Sequence, residues 1–322
     1  MKRHTLRLFA ISTAAATAVV GMAYNSSSTA GPDSTAPEPI AAELCLRKMA
    51  LDLTHRGPTA DEVSRVQAGT SSLDELADEY LNSTEFETVV TNWYKGQFPP
   101  TGITPEGTDV DEPVRIATHI VLADMDYRNI LTGTFTITPE GEMVEVTDRP
   151  AAGVLSTPHY MSAFSGSFRR NWAGHFLAEW GGVRLEAVSL PPDIDEADLA
   201  PANLLENPAC SGCHGDEVWG VDHLAGFAQC YEPDGSYRGG DCAGNWLTEA
   251  GTGLQDLASI TADSKRFKAQ TVNFFFEKLF GRHLAAQESD FYVSAQAAFS
   301  DSSYNARALI KNMVTSTAYC AN

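Results

Sequence analysis

The sequence predicts a mainly α protein with one small β-hairpin. Two observations carry the helical part: apolar residues recur at helical spacing over most of the 322 residues, and hydroxyl–x–x–Glu signals stand at several helix starts. The third is that strict alternation of β-formers with other residues is confined to residues 134–147. An apolar fraction of 43% is enough for a sizeable core.

The chain opens with a basic stretch (Lys2, Arg3, Arg7), an apolar run from Leu6 to Val20, and the small-residue site Gly21-Met22-Ala23. That order predicts a secretory signal peptide over residues 1–23, cut after Ala23. An uncleaved anchor is the plain alternative, but the run is shorter than the ~20 residues a spanning helix needs. No Cys sits near the cut, which argues against a lipoprotein, and no later segment reaches membrane length, so no membrane span is expected after cleavage. Residues 24–39 are small, polar and Pro-rich and read as a flexible Ser/Thr/Pro spacer.

Residues 40–200 form the expected N-terminal helical region. Leu44, Met49 and Leu53 recur near helical spacing until Gly57-Pro58 stops the run. Thr59–x–x–Glu62 and Ser72–x–x–Glu75 fit capping boxes, and another helix is predicted over Glu85–Lys95. Asp111-Glu112-Pro113 suits a helix start, with Ile116, Ile120 and Met125 turned inward. Residues 134–147 then supply the hairpin, Phe135 and Ile137 on one arm, the turn at Pro139–Glu142, and Met143–Val146 returning. From Ser167 to Trp180, Phe168, Trp172, Phe176 and Trp180 stand four apart on one helical face, ending at Gly181-Gly182. Such a stripe is core packing by default, with the wall of a haem pocket as the alternative.

Residues 201–322 form the second region, entered through the acidic, Pro-bounded stretch from Pro191 to Pro201. Helices are predicted over Lys265–Phe280, Gln287–Phe299 and Tyr304–Ser316. Near its start stands Cys210-Ser211-Gly212-Cys213-His214. C-x-x-C-H is the spacing of covalent haem attachment, in which both thiols add to the porphyrin vinyl groups and the adjacent His ligates iron. The expected cofactor is therefore one covalent haem c on Cys210 and Cys213, with His214 as proximal ligand, and the expected fold is a helical c-type cytochrome-like protein. Zinc would want a second Cys/His pair, and Cys230 and Cys242 lack that spacing. A thioredoxin-like pair would want a βαβ setting that the pattern does not provide.

Four cysteines remain, Cys45, Cys230, Cys242 and Cys320. In an oxidising compartment an even remainder suggests two disulfides. Of the three connectivities, Cys230 with Cys242 and Cys45 with Cys320 are expected, as one local bridge and one end-to-end staple.

The sixth iron ligand is open. Pro158-His159-Tyr160-Met161 offers Met161 first and His159 as the alternative; His223 lies only nine residues past His214, and Met313 is far along the chain. His175 lies off the aromatic stripe and reads as structural, and nothing promotes His55, His119 or His283. Arg169-Arg170 suits haem propionates by charge, or simply a solvated helix start.

The formal charge is −20, and loss of three cationic residues with the signal takes it to −23. Such a surface repels nucleic acid. It would steer a basic redox partner protein, or merely confer solubility.

Beyond single motifs, the chain resembles the planctomycete-type cytochrome c-associated family, whose members combine several segments of unknown function. Leu51-Asp52-Leu53-Thr54-His55-Arg56-Gly57-Pro58-Thr59 is similar to that family's "LDLTGRxPT" opening, with His55 standing where Gly is usual. Glu112-Pro113-Val114-Arg115 and Asp126 through Thr132 resemble its next helical segment, and Ala152-Gly153-Val154-Leu155-Ser156 its "AGLLT" stretch. Pro208 through His214, Asp234-Gly235-Ser236-Tyr237-Arg238 and Phe280-Gly281-Arg282 resemble its later segments. The stretch after His214 departs from the family's "DPxGFxLExFD" form. The resemblance implies an exported, mostly helical, haem-containing protein without implying a reaction. The combined expectation is a monohaem electron-transfer protein of the periplasm or the extracellular surface. The rivals are a haem enzyme with an open distal site for peroxide or another small molecule, and a surface protein that haem merely stabilises.

Overall fold

The structure is a computed structural model, in which residues 42–98, 104–163, 168–185 and 208–321 are described. The expected signal peptide, the spacer and the acidic stretch before the C-x-x-C-H motif lie outside the described residues. The described part is mainly helical with two short antiparallel strand pairs.

Four helices form the N-terminal layer: α1 (Ala42–Thr54), α2 (Ala60–Gln67), α3 (Leu73–Leu81) and α4 (Thr84–Gln97). Both predicted capping boxes form. Thr59 and Ser72 each accept from the amide of a Glu three residues on, and each Glu carboxylate answers the cap amide. Glu62 also takes a two-pronged ion pair from Arg56. That pair, helped by the Thr59 amide, holds the Glu62 carboxyl down at about 2 against the opposing effect of burial. The buried face of α1 is Cys45, Leu46, Met49, Ala50 and Leu53. Leu44, expected inward with Met49 and Leu53, is instead 58% exposed, because it lies one step round the helix from Cys45 and the disulfide faces the core.

Helix α1 ends through His55, whose φ is +55° and whose amide bonds back to the Leu51 carbonyl. This left-handed cap is a conformation that Gly adopts freely and His at a cost of about 1 kcal/mol.

Helix α5 (Glu112–Leu122) buries Ile116 and Ile120, while Met125, past its end, is partly buried against the same core. Strands β1 (Phe135–Ile137) and β2 (Met143–Glu145) pair where expected, Thr136 opposite Val144, and Arg115 ties the hairpin to α5 through the Ile137 carbonyl at 2.8 Å. Between α5 and β1 lies the short helix α6 (Asn129–Thr132), and after the hairpin come a 3₁₀ turn (Gly153–Ser156) and α7 (Pro158–Ser162).

The C-terminal helices are α11 (Gly253–Ala262), α12 (Lys265–Phe280), α13 (Ser289–Asp301), α14 (Ala306–Val314) and α15 (Thr317–Cys320). Those between are α8 (Phe168–Phe176), α9 (Pro208–His214) and α10 (Val221–Ala225). Helix α12 has its predicted bounds, with a Ser264 cap at one end and left-handed Gly281 at the other. Residues on both sides of position 200 share one hydrophobic core, from Leu46 and Phe86 to Phe275 and Tyr319. Both expected disulfides are present: Cys45–Cys320 ties α1 to α15, and Cys230–Cys242 closes a loop behind the motif. The end-to-end staple is reinforced by Lys48, whose ammonium lies 3.3 Å from the Tyr319 ring centre.

The second strand pair, β3 (Ala243–Trp246) with β4 (Glu249–Thr252), was not expected. Its two-residue turn is Leu247-Thr248, with φ of +55° and +67°. Positive φ at both positions is the tight-hairpin geometry that Asn-Gly usually signals. Leu-Thr carries no such signal.

Candidate functional site

Cys210, Cys213 and His214 all lie on α9. Positions three and four apart share a helical face, so the two thiols stand one turn apart on one side. Both are unpaired and half-buried, while the other four cysteines are taken up in the two disulfides.

The chain then turns sharply. The Asp216 carboxylate accepts from the amides of Val218 and Trp219 at 2.8 and 3.0 Å, and its carbonyl accepts from the Gly220 amide at 2.8 Å. Gly220 is required here: a Cβ would collide with the Asp216 backbone and stand 2.9 Å from the His214 carbonyl oxygen. The β3–β4 turn holds this bend from outside, through the Leu247 amide to the Val218 carbonyl at 2.9 Å.

The turn folds α10 back on α9 and delivers Asp222 to His214. Nδ1 of His214 lies 3.2 Å from Oδ1 of Asp222. The approach lacks hydrogen-bond angles, so Nδ1 counts as a buried atom without a formed bond among the described residues. Arg170 grips the same carboxylate with both prongs, Nε to Oδ1 at 2.6 Å and Nη2 to Oδ2 at 3.1 Å. Nδ1 therefore faces the carboxylate, and Nε2 is the ring nitrogen left for a metal. Arg169 donates instead to the carbonyls of Gln229 and Tyr231, each at 3.5 Å. The Arg169-Arg170 pair is thus engaged with protein groups rather than standing solvated.

Trp172, Phe176 and Trp180 of the aromatic stripe are core. Trp172 stacks on Phe176, Phe176 meets Trp246 edge-on, and Trp180 stacks on Phe267. Trp180 sits in a π-helical turn (Leu177–Gly181) that widens the end of α8 before left-handed Gly182 stops it. Among the described residues, Trp172 Nε1, Trp246 Nε1 and the Tyr231 hydroxyl are buried without a hydrogen-bond partner. Helix α8 and strand β3 both pack on α10, so the two indole donors belong to the layer around the motif.

Met161 and His159 lie on α7 and are 0% and 1% exposed. Helix α7 packs on the Gly153–Ser156 turn and on α5, whereas α9 packs on α10. His223 is exposed, and Met313 is buried in the core. His175 sits 3.2 Å from Glu179, whose other partners are the Tyr160 hydroxyl at 2.7 Å and Gln97 at 2.7 Å. Burial lowers the His175 pKa, but the Glu179 bond and charge outweigh it and leave it raised.

Among the described residues no three or more His, Cys, Asp or Glu side chains form a group that could hold a metal ion by themselves. The donor set instead fits a group attached at two points: free thiols one turn apart and one imidazole with its far nitrogen facing a fixed carboxylate. Asp222 was not anticipated, and Arg170, read from sequence as a propionate partner or a solvated residue, is instead the clamp on Asp222. The one hint was the sequence order, an Arg at the start of the aromatic helix and an Asp eight residues beyond His214. No protein-family model, curated protein or solved structure matches the chain.

Proposed function

We propose that the chain is an exported monohaem c-type cytochrome that acts in electron transfer. The observation carrying this reading is the pair of free cysteines on one helix beside a histidine whose Nδ1 faces a clamped carboxylate, in a chain whose other cysteines are all bridged. Cys210 and Cys213 would tether the haem c and His214 would be its proximal ligand, with Met161, or His159 as the alternative, the candidate distal ligand, although the helix carrying both packs on α5 and the Gly153–Ser156 turn. Haem held there supplies a one-electron iron couple. Two disulfides support a place in the periplasm or outside the cell. The acidic surface, with a formal charge of −20, suits a basic redox partner protein.

One observation favours a second reading, a haem enzyme with an open distal site: Met161 is packed into the general core with no exposed surface. Reduced-minus-oxidised spectra of the purified protein test both. A c-type spectrum is expected, and its absence rejects the cytochrome reading. A low-spin haem inert to CO supports the carrier, whereas a high-spin haem that binds CO rapidly supports the enzyme.

A further inference from the structure

We infer that Asp222, held by Arg170, is a positioning residue that sets the donor strength of His214 and thereby holds the potential of the site down. This rests on the haem reading above and adds a regulator to it. When Nε2 of a neutral imidazole binds a metal, Nδ1 carries the proton. Among the described residues the group facing Nδ1 is a carboxylate, 3.2 Å away, rather than a neutral carbonyl. A carboxylate draws the Nδ1 proton more strongly than a carbonyl does, leaves the ring more electron-rich, and so favours ferric over ferrous iron.

The carboxylate is not free to drift. Arg170 holds both of its oxygens, and Arg170 is carried on the aromatic helix α8, whose Trp172 and Phe176 are fully buried. On the other side, the Asp216–Gly220 turn fixes the distance from α9 to α10. His214 and Asp222 are thus positioned from two independent elements. The Arg170–Asp222 pair would also join α8 to α10 in a purely structural role, and the potential separates the two roles.

The test is potentiometric titration of the haem-loaded full chain and of its Asp222→Asn variant, with the ferric spectrum recorded for each. The carboxamide keeps the shape and loses the charge. The expected result is a loss of about tenfold in the preference for ferric iron, an upward shift of about 59 mV for one electron. Asp222→Glu, which restores the charge, is expected to move the potential back toward wild type. Should Asp222→Asn fail to load, Arg170→Lys is measured instead; it keeps the cation, loses the fork, and is expected to shift the potential upward by less. An unmoved potential in either loaded variant overturns the inference while leaving the cytochrome reading intact. A wild-type chain without covalent haem overturns that reading and this inference with it.

Discussion

The N-terminal helices and the neighbourhood of the C-x-x-C-H motif meet their polar demands with partners at different distances along the chain. In α1–α3 the caps and charges answer one another locally: Thr59 and Glu62, Ser72 and Glu75, Arg56 and Glu62, Arg65 and Glu79. The buried phenol of Tyr80 lies beside the Glu62 charge, and burial first and that charge second push its pKa well up. Around α8–α10 and β3, Trp172 Nε1 and Trp246 Nε1 are buried with no bond formed among the described residues. Buried donors are costly to leave unmet. The first region is not free of unmet atoms, since the Tyr80 hydroxyl and Arg65 Nε form no hydrogen bond among the described residues; the second is set apart by carrying its unmet indole donors together with the two free thiols.

The comparison can be broken first at its covalent staples. Replacing Cys45 and Cys320 by Ser opens a closure spanning 275 residues and is expected to cost about 4–5 kcal/mol. Opening Cys230–Cys242, a separation of 12, should cost about 3 kcal/mol. Urea unfolding of both variants checks the order, and a larger loss from the short bridge would contradict it.

Charge sharpens the contrast next. Glu62→Gln should lose about 2 kcal/mol at pH 7, because the folded carboxyl titrates near 2 and the unfolded one near ~4.3. The sign follows from the depressed value: the stabilisation is full above the unfolded pKa and disappears as pH falls from about 4 to 2. Denaturation of wild type and variant across that window should show the gap closing, and a constant gap would remove the ion pair from the account.

In the motif region the comparable probe is steric. Gly220→Ala drives a methyl into the Asp216 backbone and is expected to cost about 1–3 kcal/mol. Because the damage falls between α9 and α10, haem loading should drop as well, readable as haem absorbance per chain. Full loading at wild-type stability would mean the turn does not hold the two helices together.

The smallest effect is a gain. His55→Gly relieves a left-handed helix cap and should stabilise by about 0.5–1 kcal/mol, visible as a raised Tm. No gain would mean that the His55 side chain makes compensating contacts.

What was legible in the sequence follows the same division. Capping boxes, the Gly281 stop of α12 and the first hairpin were readable because each is encoded by residues within a few positions of one another. Both disulfides were readable from cysteine count and placement. The outward turn of Leu44 was not, since helical spacing alone does not say which face the tertiary fold covers. The β3–β4 hairpin was hidden by a Leu-Thr turn that adopts positive φ without the residues that usually allow it. Asp222 was hidden for a different reason: its role depends on Arg170, 52 positions away, and on a turn that brings two short helices together. The motif named the candidate attachment residues, and only the fold named their neighbours.

The most direct test of the central claim is the intact mass of the full chain, expressed with export and haem-attachment machinery and measured after denaturation. The account predicts one haem retained per wild-type chain, and loss of that covalent haem when Cys210 and Cys213 are both replaced by Ser. A wild-type chain that denatures to the bare polypeptide mass, or a double variant that keeps its haem, would contradict it.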